Sequence, residues 1–267
     1  MTLPAAIGAI RSILDRQNAC PVLELLNRTY LEFHLRSDIV RTAFLKLQQD
    51  EAIAFKKIQV PDARSTTVSF IYRTDLLQHV VDDIITEKSQ LLAQHYDLSN
   101  EIGRHGENLV AEACSSLGYT DIEVRKEKHG SQDLGMVGIQ RRDIDVFAKH
   151  PTGKYYQNIE VKNRRDPLKQ ADLSAVLQTT SLATARWNFV INPAVVSTFA
   201  AGTARKAATF LGIPIAFSGG VYVPEKRRLL YEKLNSRLAL NVKITDQPTS
   251  ELRRNISTYI AQHSYST

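Results

Sequence analysis

At 267 residues, with 43% hydrophobic and 23% charged residues, the chain has ordinary globular composition for one large domain or two smaller ones. Its apolar runs fall well short of the roughly 20 residues that span a bilayer, and its first residues, Met1-Thr-Leu-Pro-Ala-Ala, lack the basic flank of a secretory signal, so no membrane and a cytoplasmic location are expected. Cys20 and Cys114 are far apart with no histidine at ligand spacing, which favours buried thiols over a disulfide or zinc site; the net charge of +6 is uneven, with 11 Lys and Arg against 12 Asp and Glu over residues 1–98 and 23 against 16 over 99–267.

A basic C-terminal part suits a polyanionic partner, because each neutralised phosphate releases counterions, and it serves solubility equally. Along the chain, helices are expected from Pro4 to Gln17, from Pro21 to Leu31 and from Ser37, whose hydroxyl can cap the segment Asp38-Ile-Val-Arg-Thr-Ala-Phe-Leu-Lys-Leu-Gln. Ile39, Val40, Phe44 and Leu47 form one apolar stripe on the third helix. Strands follow at Ala52–Val60 and Thr67–Tyr72, around a loop Pro61-Asp-Ala-Arg-Ser. Three short helices and a hairpin are the order of elements in a winged helix, and residues 1–74 resemble that family. The resemblance implies a third helix that enters a DNA groove and presents Arg36, Arg41 and Lys46. The near-neutral charge of this stretch leaves protein docking or a structural role open.

Residues 75–98 read as a helical linker, Asp75 to Tyr96, with Leu77, Val81, Ile84 and Leu91 along one side. Such a stripe fits a buried connector or a subunit pairing surface. From residue 99 to 267 the order changes to helix, strands, helix, strand, helix, strand, an α/β pattern. A helix opens at Gly103-Arg-His-Gly-Glu and ends near Gly118. Two strands flank the turn His150-Pro-Thr-Gly-Lys, a helix runs from Ala171 to Ala185, and Trp187-Asn-Phe-Val-Ile reads as a buried strand. A helix from Val195 to Leu211 and a strand Ile213-Pro-Ile-Ala-Phe complete the pattern. The last 50 residues are mixed and basic, and Gly219-Gly220 reads as a turn.

The chemistry concentrates in Asp143-Ile-Asp-Val-Phe-Ala-Lys and Tyr155-Tyr-Gln-Asn-Ile-Glu-Val-Lys. With a turn centred between Thr152 and Gly153, residue numbers of facing partners sum to 305, which sets Asp145 opposite Glu160 and Asp143 opposite Lys162. Those four share one face, while Ile144, Val146, Ile159 and Val161 share the other. Two carboxylates on one face suit a hard divalent cation, Mg2+. Such an ion polarises a phosphoryl oxygen and activates water, and a lysine beside it stabilises the charge that develops on the phosphorane. The competing reading is a solvated hairpin face with a weak surface ion pair.

Gly106-Glu107 opening a helix, Leu117-Gly118-Tyr119 ending it, Ile144-Asp145-Val146-Phe147-Ala148 and Ile159-Glu160-Val161-Lys162 occur in the order seen in the PD-(D/E)XK nuclease superfamily. Asn188-Phe-Val-Ile-Asn-Pro, the alanine-rich helix and Gly212-Ile-Pro-Ile also fit, so residues 103 to about 217 resemble its Mrr-like and restriction-enzyme branches. The resemblance implies a restriction-endonuclease-like mixed central sheet flanked by helices, an α/β class, with Asp145, Glu160 and Glu107 as metal ligands and Lys162 as the catalytic lysine. The chain departs from the pattern in having no proline before the aspartate; Asp143 competes with Asp145, Glu112 competes with Glu107, and Gln170 and Gln178 stand where a helix glutamine assists. Arg141, Arg142, Arg164 and Arg165 flank the strand ends and could hold phosphates. His105 and His129 read as structural.

The implied activity is magnesium-dependent hydrolysis of double-stranded DNA by a site-specific restriction endonuclease, with a homodimer to cut both strands. A structure-specific nuclease of the junction or repair kind shares these features. A non-catalytic DNA-binding regulator is the reading from another class.

Overall fold

Apolar residues recur at three- and four-residue spacing from Ala6 to Leu14, and Leu3–Gln17 forms helix α1 with Ala6, Ala9, Ile10, Ile13 and Leu14 buried. The computed structural model describes residues 2–61, 66–137, 140–246 and 249–262; the side chains at 137, 140 and 141, and so that of Arg141, lie outside the description, as do Asp62 to Ser65 of the expected loop. Strand β1 (Ala19–Pro21), helix α2 (Val22–Phe33) and helix α3 (Ser37–Gln49) follow, then strands β2 (Ile53–Gln59) and β3 (Thr67–Arg73). Val40, Ala43, Phe44 and Leu47 form the buried side of α3, and Ile39 packs at its margin. Ser37 is not the cap expected of it. Arg36 takes the N-cap position, no side chain caps the helix, and the Arg36 guanidinium binds Asp38 instead.

Strand β1 went unread in the sequence, being three residues long between two helices. It pairs antiparallel with β3, giving the sheet order β1-β3-β2. One core joins the three helices to this sheet through Ile10, Leu25, Val40, Leu47, Ile53 and Ile71.

The expected helices Asp75–Tyr96 and Gly103–Gly118 are a single 39-residue helix, α4 (Gln78–Ser116). Leu77, assigned to its stripe, lies just before it and is exposed, whereas Val81, Ile85, Leu91, Leu92 and Leu98 are buried. The segment between contains no proline, and a glycine such as Gly103 costs only about 1 kcal/mol relative to alanine inside a helix. By contact density the chain divides within α4 into two units, Met1–Leu98 with Lys226–Asn241, and Ser99–Glu225 with Val242–Thr267. Residues 226–241, expected in the C-terminal domain, thus group with the N-terminal unit. They lie mostly in helix α7, described below, whose Arg237 pairs with Glu87 at 2.7 Å.

The second unit is built on five strands. After α4 come the exposed edge strand β4 (Thr120–Lys126) and four two-residue strands, β5 (Lys128–His129), β6 (Gln132–Asp133), β7 (Met136–Val137) and β8 (Gln140–Arg141), paired as two small hairpins. Then follow β9 (Ile144–Lys149), β10 (Tyr156–Lys162), helix α5 (Gln170–Trp187), β11 (Ile191–Ser197), helix α6 (Gly202–Phe210) and β12 (Ile215–Phe217). The chain continues through α7 (Glu225–Arg237), α8 (Thr249–Ile256) and a π-helical turn, Ser257–Ala261. The sheet order is β12-β11-β10-β9-β4, with β10, β11 and β12 parallel and β9 and β4 antiparallel to their neighbours. It is therefore a mixed sheet in an α/β unit.

Both faces are covered. Val146, Ile159, Val161, Ala194 and Val196 meet Val110 and Ala113 of α4 and Leu252 and Ile256 of α8. On the reverse face, Val195 packs with Leu173 and Val176 of α5 and Ala204 and Ala208 of α6. Burial on both sides is why β11 carries the apolar run Ala194-Val195-Val196 and why its β-branched residues extend the strand. Trp187 ends α5 and Asn188 caps it in the left-handed region, so the strand expected from Trp187 begins at Ile191. Val195 to Ser197 belong to that strand, and the helix expected from Val195 begins only at Gly202. Among the described residues no helix is long and apolar enough to cross a membrane.

Candidate active site

The hairpin of β9 and β10 turns at Gly153, which has φ +72 and donates its N–H to the His150 carbonyl at 2.8 Å. Four pairs are in register: Tyr156 with Lys149, Gln157 with Ala148, Asn158 with Phe147 and Ile159 with Val146. All follow the sum of 305. One step further the two strands part, although β9 stays paired with β4 as far as Ile144. At that point the Asp145 carboxylate replaces the backbone ladder: its Oδ2 accepts the Val161 N–H at 2.7 Å.

Asp145 and Glu160 thus lie at the mouth of a split between two strands. Burial pushes the Asp145 carboxyl up to about 8, and the charge of Glu160 adds to the shift, against the opposing pull of Lys162 and the Val161 N–H. Lys162 hydrogen-bonds to Glu160. Burial works against its charge, but Glu160 and Asp145 together hold its pKa above the ordinary lysine value.

Two details of the expected face differ. Lys162 pairs with Glu160 rather than with Asp143, because the strands have separated before Asp143 could face it. Asp143 is half-buried; burial raises its carboxyl above the usual range, Arg125 opposes that shift, and Glu107 and Glu127 reinforce it. Ile144 does not share the apolar cluster of Val146, Ile159 and Val161; it packs with Leu134, Phe147, Ala183 and Trp187 on the reverse side.

Glu107 is buried on α4 at 6% exposure and belongs to the same electrostatic group, since its charge bears on both Asp143 and Asp145. Glu112 is exposed, and its charge is felt at His105. Glu107 is engaged by Arg125, whose Nε and Nη2 donate to its two carboxylate oxygens at 2.7 and 2.9 Å. Sequence reasoning passed over Arg125, a basic residue on an exposed strand. It also passed over Asn163, which follows Lys162 and is buried. The Asn163 Nδ2 donates to the Ile102 carbonyl at 2.8 Å and the Tyr222 carbonyl at 2.9 Å, and its Oδ1 accepts the Tyr222 N–H at 2.8 Å. A glycine in mid-helix was the available signal: a Cβ on Gly106 would stand 2.4 Å from the Asn163 Cβ.

The flanking arginines are less free than their number implies. Arg164 Nη2 lies 2.9 Å from each oxygen of Asp172, and Arg165 pairs with Asp166. Arg142 is half-buried beside Asp143, and Gln170 and Gln178 are exposed on α5. His129 packs against Phe189 and Trp187. Within the N-terminal unit Arg36 and Lys46 pair with Asp38 and Asp50, and Arg41 is exposed on α3.

Among the described residues, no three His, Cys, Asp or Glu side chains form a ready metal cage. Magnesium needs less than a cage, since it retains waters and is held through one or two carboxylates. A buried carboxyl kept from ionising by a neighbouring carboxylate is a place where a dication lowers the energy. The pair Asp145 and Glu160 fits such an ion.

The sequence matches no protein-family profile and no curated relative. A solved structure, described as the crystal structure of a repair endonuclease from Pyrococcus abyssi, is similar at 12% identity over 61% of this chain and 61% of that chain, with a TM-score of 0.27. A likeness that loose carries no argument about fold or activity.

Proposed function

We propose that this chain is a metal-dependent nuclease of the PD-(D/E)XK kind that hydrolyses phosphodiester bonds in double-stranded DNA. The observation that carries this reading is the group at the split between β9 and β10: a desolvated Asp145, a neighbouring Glu160 and a protonated Lys162. A solvated hairpin face would leave its acids near ordinary values, and Asp145 is not in that state. The mixed sheet with helices on both faces agrees with the architecture that the sequence resemblance implies.

In this mechanism Asp145 and Glu160 hold the ion, and the Val161 N–H fixes the Asp145 rotamer. A magnesium ion held there would supply Lewis-acid polarisation of a phosphoryl oxygen and a lowered pKa for the attacking water. Lys162 stands beside the developing negative charge and lowers the barrier by electrostatic stabilisation. Asn163 locks the end of β10 to α4 and to the Tyr222 backbone, which keeps Lys162 in place. The N-terminal unit, with three helices and a sheet of order β1-β3-β2, serves as a winged-helix-like DNA-binding module, and a homodimer supplies the second cut.

The test is cleavage of supercoiled plasmid and of a four-way junction with Mg2+, with EDTA, and with Glu160→Ala or Lys162→Ala. Each substitution should lower the rate on the order of 10²-fold or more. Site-specific fragments indicate a restriction enzyme, and junction cleavage without sequence preference indicates a structure-specific nuclease. Metal-dependent cleavage that survives both substitutions refutes the site; binding of DNA without cleavage of any substrate makes the protein a non-catalytic regulator.

A further inference from the structure

Arg125 is at odds with its surroundings in three ways. It lies in strand β4 yet has φ +56, a left-handed backbone that side-chain-bearing residues rarely adopt. Its side chain is 44% exposed, while its partner Glu107 is 7% exposed, so a solvent-accessible guanidinium neutralises a buried acid. The pairing is also bidentate, the geometry by which arginine binds carboxylate and phosphate alike. The charge of Arg125 extends beyond Glu107, since Asp143 and Asp145 also act on it.

We propose that Arg125 is the phosphate-binding arginine of this site, held on Glu107 until DNA and metal arrive and then transferred to a phosphate oxygen at the cut. The proposal rests on the nuclease reading above. Charge supplies the reason for the exchange. Glu107, Asp143, Asp145 and Glu160, when all ionised, carry four negative charges against two positive ones on Arg125 and Lys162. A dication on Asp145 and Glu160 removes the remaining imbalance and weakens the hold of the acids on Arg125. Glu107, released, can complete the ion's surroundings through water. The guanidinium is already half in solvent and offers its fork to an anion.

The exchange has a signature that a purely structural ion pair lacks. Without DNA, Arg125 and Mn2+ compete for the same acidic group, so Arg125→Gln should tighten Mn2+ binding several-fold by calorimetry. With Ca2+ in place of the catalytic ion, binding of a short duplex should weaken about tenfold in Arg125→Gln, and the slope of log affinity against log salt should shrink by about 0.9, one phosphate contact on B-DNA. Arg125→Lys retains the charge and should keep the salt slope. Glu107→Gln, which frees Arg125, should tighten metal-free duplex binding. Asp145→Asn serves as the control and should abolish Mn2+ binding. If Asp145→Asn leaves Mn2+ binding intact, the metal-site reading fails and this proposal falls with it. If Asp145→Asn abolishes Mn2+ binding while Arg125→Gln alters neither Mn2+ affinity nor the salt slope, the proposal alone is overturned. Thermal melting of each variant identifies one that does not fold; in that case Arg125→Lys and Glu107→Gln decide the matter.

Discussion

Asp145 ionises at about 3.8 when exposed but keeps its proton in the folded, metal-free site up to about 8, first because it is buried and then because Glu160 repels a second charge. Between those values the folded protein binds more protons than the unfolded chain, so stability falls as pH rises through that window. On the proposed function, magnesium would bind the ionised form and reverse the trend: the melting midpoint should respond strongly to Mg2+ at pH 8 and weakly at pH 5. Asp145→Asn should raise the metal-free midpoint at pH 8 and flatten its dependence on pH. Superimposable midpoint profiles for variant and wild type would rule out Asp145 as the source. This residue was legible in the sequence because a hairpin with period-two burial places acids on one face. Its hydrogen bond to Val161 was not legible, because a sum of residue numbers does not reveal where two strands separate.

Secondary structure elements hold the site through two close contacts. Gly106 lets α4 approach β10 so closely that Gly106→Ala must displace Asn163, and the substitution should destabilise the protein by about 1–3 kcal/mol and reduce cleavage. Urea unfolding measures this; unchanged stability would mean that Asn163 yields without cost. The second contact is at the hairpin turn, where His150 Nε2 bonds the Ala261 carbonyl at 3.1 Å, Nδ1 accepts the Thr152 N–H at 3.2 Å, and the ring stacks on Tyr155 and meets the edge of Tyr119. Burial lowers the His150 pKa below 6.5, against the opposing effect of the Ala261 bond. The neutral ring is therefore favoured by folding, and its contribution, present above pH 6.5, is lost as the pH falls through the lowered value. Amides of Ser257–Ala261 should exchange faster at pH 5 than at pH 7.5 after correction for intrinsic rates. His150→Gln should abolish that difference, and equal protection in wild type at both pH values would count against the contact. Nothing in the sequence connected residue 150 to residue 261: Leu252, Ile256 and Ile260 mark a buried helical stripe, but a stripe does not name the surface it packs on.

At the scale of the whole chain, two units divide the work differently from a linear reading. Residues 226–241 return to the N-terminal unit, and a 39-residue α4 replaces two helices and a linker. If the N-terminal unit binds DNA, Arg41→Glu on the exposed side of α3 should weaken duplex affinity several-fold by fluorescence anisotropy. Unaltered affinity would favour protein docking for that unit.

The sequence by itself determined the helices of the first 49 residues and the hairpin register from Tyr156 opposite Lys149 to Ile159 opposite Val146. Those follow from local periodicity and turn chemistry, which each segment carries within itself. Tertiary structure alone decided that β9 and β10 separate at Asp145, that Arg125 occupies Glu107 and that Asn163 requires Gly106. It also decided that Val195 to Ser197 extend a strand rather than begin a helix. Each of these depends on a neighbour distant in sequence, and burial by that neighbour outweighs local preference.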